Sequence, residues 1–92
     1  MTMLRKRLKA MMVRHVDQEL LLLDTDSNQI HQLNQTARFV WQHCDQDHSS
    51  EEMARLLAAA FEVEYDVALR DVVQTLEKLR ELHLIVDVDL SQ

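Results

Sequence analysis

The 92-residue chain contains no glycine and no proline. Glycine supplies left-handed backbone at little steric cost and proline ends helices, so every reversal here must be built from other residues. Asn, Asp, Ser and His tolerate such geometry best. They gather at Asp17-Gln18, at Asp24-Thr25-Asp26-Ser27-Asn28, at Asp45-Gln46-Asp47-His48-Ser49 and at His83. These are the expected turns, and the segments between them carry the regular structure.

Those segments fall into two periods. Val13-Arg14-His15-Val16, Leu20-Leu21-Leu22-Leu23 and Gln29-Ile30-His31-Gln32-Leu33 read as three strands of an antiparallel meander. Their connections are about two and five residues long, so consecutive strands are neighbours and the third lies at an edge. From Asn34 the period becomes helical. Asn34 is the expected N-cap of a helix with Ala37, Val40, Trp41 and Cys44 on one stripe. Ser49 with Glu52 forms a capping box for a second, with Met53, Leu56, Leu57, Ala60 and Phe61 on its dry face. Asp66 is the expected cap of a third and longest helix, with Leu69, Val72, Val73, Leu76 and Leu79 at core spacing. Beyond Leu82, the set Leu84, Val86, Val88 and Leu90 alternates with Ile85, Asp87, Asp89 and Ser91, the pattern of a half-buried strand that joins the meander or forms a wing.

At the other end, Leu4, Leu8, Met11 and Met12 stand at helical spacing among basic residues. Residues 1–12 are therefore expected as a basic N-terminal tail with some helical tendency, ahead of a single domain over residues 13–90. The fold class is α+β: a small three-stranded antiparallel sheet, then a three-helix bundle, winged-helix-like, with a short C-terminal strand. A chain this short has room for one core and none for a second domain.

Charge and cysteine usage narrow the function. Arg5, Lys6, Arg7, Lys9 and Arg14 are the only charged residues among the first fourteen, so the rest is more acidic than the net charge of −6 indicates. An acidic body is a poor surface for phosphates, which argues against a nucleic-acid partner. The longest apolar run, Leu20-Leu21-Leu22-Leu23, stops at Asp24, far short of the roughly 18 residues of a membrane span. Arg5-Lys6-Arg7 is not followed by a secretory apolar stretch, and a lone Cys44 fits a reducing compartment, so a cytoplasmic location without stable membrane association is expected.

The sequence pieces L-L-L-L-D at Leu20 to Asp24, L-N-Q-T-A from Leu33 to Ala37 and F-V-W ending at Trp41 resemble the PqqD family and its relatives, the recognition elements of ribosomally made, post-translationally modified peptides. Phe61-Glu62-Val63, Asp71-Val72, and Leu79 with Leu82-His83-Leu84-Ile85 extend the likeness. This late part is most similar to the small discrete proteins that bind lasso-peptide leaders. Gln46 and His83 stand where family members commonly carry glycine.

The resemblance implies a precursor-peptide chaperone without catalytic activity or cofactor. It holds a leader segment for a modifying enzyme of the radical-SAM, cyclase or leader-peptidase type. In the family the leader is added to the third strand and packs towards the third helix, because an open strand edge offers unpaired N–H and C=O groups. Carried over, the strand contacts are Gln29, Ile30, His31, Gln32 and Leu33, and the helix contacts are expected at Arg70, Val73, Gln74, Glu77 and Arg80. The competing arrangement has the C-terminal segment cover that edge, or exchange between two copies, so the protein is either a monomer or a domain-swapped dimer.

Other features carry less. His43, Cys44, Asp45, Asp47 and His48 are metal-ligand types in a short span, but Cys44 lies on an apolar stripe and no metal is expected. No hydrolase, zinc-protease or phosphate-loop motif is present, and Glu51 and Glu52 suit a helix start. Two alternatives differ in kind. A winged-helix DNA-binding protein would read with its third helix, where Asp66, Asp71, Glu77 and Glu81 oppose Arg70, Lys78 and Arg80. A scaffold subunit would bind an enzyme and no peptide.

Overall fold

The computed structural model describes residues 2–44 and 48–89. Asp45, Gln46 and Asp47 of one expected turn, and Leu90 and Ser91 of the C-terminal alternation, lie outside the described residues. The order is β1 (Thr2–Lys6), β2 (Met11–Val16), β3 (Glu19–Asp24), β4 (Gln29–Leu33), α1 (Gln35–His43), α2 (Ser50–Phe61), α3 (Tyr65–Glu81) and β5 (Ile85–Asp89). The α+β architecture is the expected one.

β2, β3 and β4 form the antiparallel meander, with Leu22 opposite both Val13 and His31. Strand alternation sends Leu20 and Leu22 into the helices and leaves Leu21 and Leu23 on the other face. The helices close over the inward face: Val40 and Trp41 of α1, Met53 and Leu57 of α2, and Val72, Leu76 and Leu79 of α3 complete the core. Each fully buried aliphatic contributes about 1.5–3 kcal/mol. Leu56, Ala60 and Val73, expected on dry faces, are exposed. α2 buries Met53, Ala54 and Leu57, and α3 buries Ala68, Val72, Leu76 and Leu79, so both apolar stripes are narrower than their sequences suggested.

Among the described residues, five take the left-handed backbone that glycine would otherwise supply: Ala10, Asp17, Asn28, Glu62 and His83, with φ between 55° and 58°. Asp17, Asn28 and His83 fall at expected turns. His83 closes α3 in a double hook, its N–H bonded to the Arg80 carbonyl at 3.0 Å and that of Leu84 to the Leu79 carbonyl at 2.9 Å. Glu62 ends α2 in the same left-handed backbone, its own N–H and that of Val63 both reaching the Ala58 carbonyl, the latter at 3.2 Å.

The helix starts follow local chemistry in two cases out of three. The Asn34 side chain accepts from the Ala37 N–H, and Ser49 and Glu52 form the reciprocal capping box. α3 instead begins after Glu64 with no side-chain cap. Asp66 sits inside the first turn, where its charge favours the helix dipole without capping.

The N-terminal segment is not helical. Thr2–Lys6 is a strand paired antiparallel with Ile85–Asp89, from Thr2 opposite Asp89 to Lys6 opposite Ile85, making a two-stranded ribbon separate from the meander. Apolar residues at helical spacing do not decide conformation when a partner strand is available. Within β5, Ile85 is buried and Val86 exposed, the reverse of the inward set expected there. Lys6 lays its ammonium 5.1 Å from the Trp41 ring centroid, and the Trp41 indole N–H donates to the Leu84 carbonyl at 3.0 Å. These contacts dock the ribbon on the core.

Candidate functional site

β4 lies at one edge of the meander, and β3 is its only strand neighbour among the described residues. β5, which was the candidate for covering this edge, is engaged with β1. The outer N–H and C=O groups of β4 therefore face outwards, and the strand carries no Lys, Pro or acid to blunt them.

A groove of ≈ 460 Å³ runs beside this edge, between β4, the start of α1 and the flank of α3. Gln32, Leu33, Asn34 and Thr36 line one wall, and Asp71, Gln74, Thr75, Lys78 and Leu82 line the other. Leu33 and Leu79, both buried, form an apolar floor. Asp71 and Lys78 place opposite charges two helical turns apart, and neither has an ion-pair partner among the described residues. The groove is thus apolar at the bottom, hydrogen-bonding along its sides and charged at two points. That lining suits an extended peptide.

A larger open depression of ≈ 740 Å³ beside the Asp17-Gln18 turn shares Asn34 and Thr36 with the groove. Its lining adds Asp17 and Glu19 and lacks a buried apolar floor. It offers shape without a strand edge.

Of the residues singled out from sequence, Gln32, Leu33 and Gln74 line the groove. Gln29 and His31 share the inward side of β4 with Leu33, while Ile30 and Gln32 belong to the opposite face. Arg70, Val73, Glu77 and Arg80 are exposed on α3 outside the groove lining. An amphipathic helix has two flanks beside its core stripe, and the sequence of the helix alone does not say which one faces the sheet. Asp71, Thr75, Lys78 and Leu82, on the other flank, were missed for that reason. Their i, i+4, i+7, i+11 spacing marks them as one stripe once the position of β4 is known.

The remaining polar features are structural. The Cys44 thiol is buried and donates to the Val40 carbonyl at 3.2 Å. His43 stacks on Phe39 at 4.2 Å between centroids and bonds its carbonyl through Nδ1 at 2.8 Å. Among the described residues no group of three His, Cys, Asp or Glu side chains is placed to hold a metal ion. Also among them, no helix is long and apolar enough to cross a membrane.

The fold agrees with that of known proteins. Residues 19–85 match the profile of the family described as coenzyme PQQ synthesis protein D (PqqD). A solved structure described as lasso peptide synthetase B1 complexed with the leader peptide is 31% identical, with a TM-score of 0.76 over 90% of this chain and 96% of that one. A second, TbiB1 in complex with the TbiA(beta) leader peptide, is 21% identical with a TM-score of 0.73, covers 88% of this chain and 93% of that one, and shares the fold. No curated protein sequence matches.

Proposed function

The chain belongs to the PqqD family, and from that premise we propose that it binds the leader segment of a ribosomally made precursor peptide and presents it to a modifying enzyme. The observation that carries this reading is the unpaired edge of β4 beside a groove with an apolar floor. A leader laid along Gln29–Leu33 as a further strand gains backbone bonds for general affinity, and its inward side chains enter the groove for selectivity. Gln74, Thr75, Asp71 and Lys78 are positioned to select those side chains by hydrogen bonding and charge. A leader that continues over the solvent side of α3 meets Arg70, Val73, Glu77 and Arg80. The similarity to a leader-bound lasso peptide synthetase B1 supports a lasso-type precursor. The enzyme served is of the leader-peptidase, cyclase or radical-SAM type, acting in the cytoplasm.

The test is a titration of leader peptides, cut from a precursor encoded beside this chain's gene, into isotope-labelled protein. Amide signals of Gln29–Leu33 and of Gln74, Thr75 and Lys78 should move together and saturate. Unmoved signals at high peptide concentration, with the modifying enzyme still captured by the chain, would replace this reading with that of a pure scaffold.

A further inference from the structure

Among the described residues, the helices cover one face of the meander and leave the other open. On the other, strand register lines up Met12 with Leu23 and Leu23 with Ile30, and places Leu21 between Arg14 and Gln32. Met12, Arg14, Leu21, Leu23 and Ile30 enclose a shallow depression of ≈ 230 Å³. Ile30 is 68% exposed and Met12 47%. A single exposed isoleucine is ordinary, but a continuous apolar row across three strands that ends at an unprotected edge is not.

We infer that this outer face is a second reading surface for the same guest peptide, taking a large apolar side chain of the guest beside Ile30. The inference rests on the strand-addition reading above and deepens it. A strand added to β4 must send alternate side chains to opposite faces of the sheet. Those on the inner side enter the groove over Leu33 and Leu79. Those on the outer side extend the Met12, Leu23, Ile30 row by one strand, and directly opposed side chains on neighbouring strands lie about 5 Å apart. An aliphatic or aromatic residue opposite Ile30 therefore covers it and leans over the depression behind. Gln32, the next outward residue of β4, donates its side-chain amide to Glu19, so the polar end of this face is already satisfied within the protein. The ligand class follows: an extended peptide with apolar residues at adjacent positions, one for each face, rather than on one parity alone.

The experiment uses the full chain and a random 12-residue peptide library as probe. Enriched peptides should carry neighbouring apolar residues, and the best should bind Ile30→Thr about tenfold more weakly than the parent. That loss should vanish when the outward apolar residue of the peptide is replaced by Ala. Threonine keeps the strand preference of an exposed site, and Met12→Thr on β2, at the far side of the depression, gives a second variant with a smaller loss of the same kind. Unchanged affinity in both variants, with Thr75→Arg still abolishing binding, overturns the outer surface and leaves strand addition standing. A concentration-dependent dimer of the parent that Ile30→Thr dissolves would assign the face to a second copy and overturn it equally. If no peptide is enriched, the strand-addition reading itself fails.

Discussion

Arg7 grips Asp24 with both prongs of its guanidinium, Nη1 donating to Oδ2 at 2.8 Å and Nη2 to Oδ1 at 3.3 Å. Asp24 is the last residue of β3, and its Oδ1 also accepts from the backbone N–H groups of Asp26 and Ser27 in the turn that leads to β4. Arg7 directly follows β1, and its own N–H bonds the Leu84 carbonyl at 3.1 Å. Arg7 also reaches Asp26 Oδ2 at 3.4 Å, so one guanidinium joins the terminal ribbon to the turn that launches the candidate binding strand. Asp24 is only 6% exposed, and a carboxylate so placed stays charged because these donors replace the water it has lost.

The first prediction concerns acid. The Arg7 guanidinium, aided by the Ser27 and Asp26 amides, holds the Asp24 carboxyl down at about 2. In the unfolded chain the same group titrates near 3.9. A depressed folded value means stabilisation that is complete above the unfolded value and disappears as pH falls towards the folded one. Urea unfolding of the parent should therefore weaken between about pH 4 and pH 2, and Asp24→Asn should be less stable at neutral pH and flatter across that window. Glu52, held low by the Ser49 backbone N–H and hydroxyl, acts with the same sign, so Glu52→Gln should remove a further part of the slope.

A chain without glycine is stabilised by gaining it in the right places. His83 and Glu62 hold φ of 58° and 55° at helix ends, where a side chain costs about 1 kcal/mol or more. Glycine removes that cost and adds unfolded-state entropy, which offsets part of the gain. His83→Gly and Glu62→Gly should each raise the unfolding free energy by about 0.5–1 kcal/mol. Glycine at Leu76, inside α3 and buried, should instead lower it by several kcal/mol through cavity and helix costs, which makes it the control.

Trp41 supplies a third. Its indole N–H and the Arg7 N–H both reach the Leu84 carbonyl, at 3.0 and 3.1 Å. Trp41→Phe keeps one of the two donors and most of the packing, so the expected loss is about 1–2 kcal/mol by chemical denaturation. Because that carbonyl leads into β5, amide exchange across Ile85–Asp89 should quicken more than exchange in the meander.

What the sequence showed was mostly local. Asn34, Ser49 with Glu52, Asp17, Asn28 and His83 act on backbone within a few residues, so their roles were legible without knowledge of the fold. β4 was legible with its exact bounds because polar turns isolate it on one side and a helix cap on the other. β1 was not, since its partner is about eighty positions away and its Leu4 joins Leu8, Met11 and Met12 in a spacing that mimics a helical stripe. The left-handed Ala10 and Glu62 belong to types that give no such signal, and only tertiary contacts impose that geometry. On α3 the sequence left open which flank lines the groove, because the two flanks beside the core stripe are equivalent until the position of β4 is known.

The last prediction turns on that flank. Thr75 and Gln74 line the groove, whereas Arg70 and Glu77, on the same helix, do not. Thr75→Arg places a long cation over the Leu33 and Leu79 floor and should weaken leader binding at least tenfold, or about 1.4 kcal/mol. Arg70→Ala and Glu77→Ala, at exposed sites, should change it by a factor of about two or less. Hydrogen exchange separates loss of the groove from loss of the strand edge. In the parent, bound leader should slow those amides of Gln29–Leu33 that are not bonded to β3, and in Thr75→Arg it should no longer do so at the same peptide concentration, while the β3 to β4 ladder keeps its protection. Equal weakening by Arg70→Ala and Thr75→Arg would place the leader across the outside of α3, and the groove would lose its assignment.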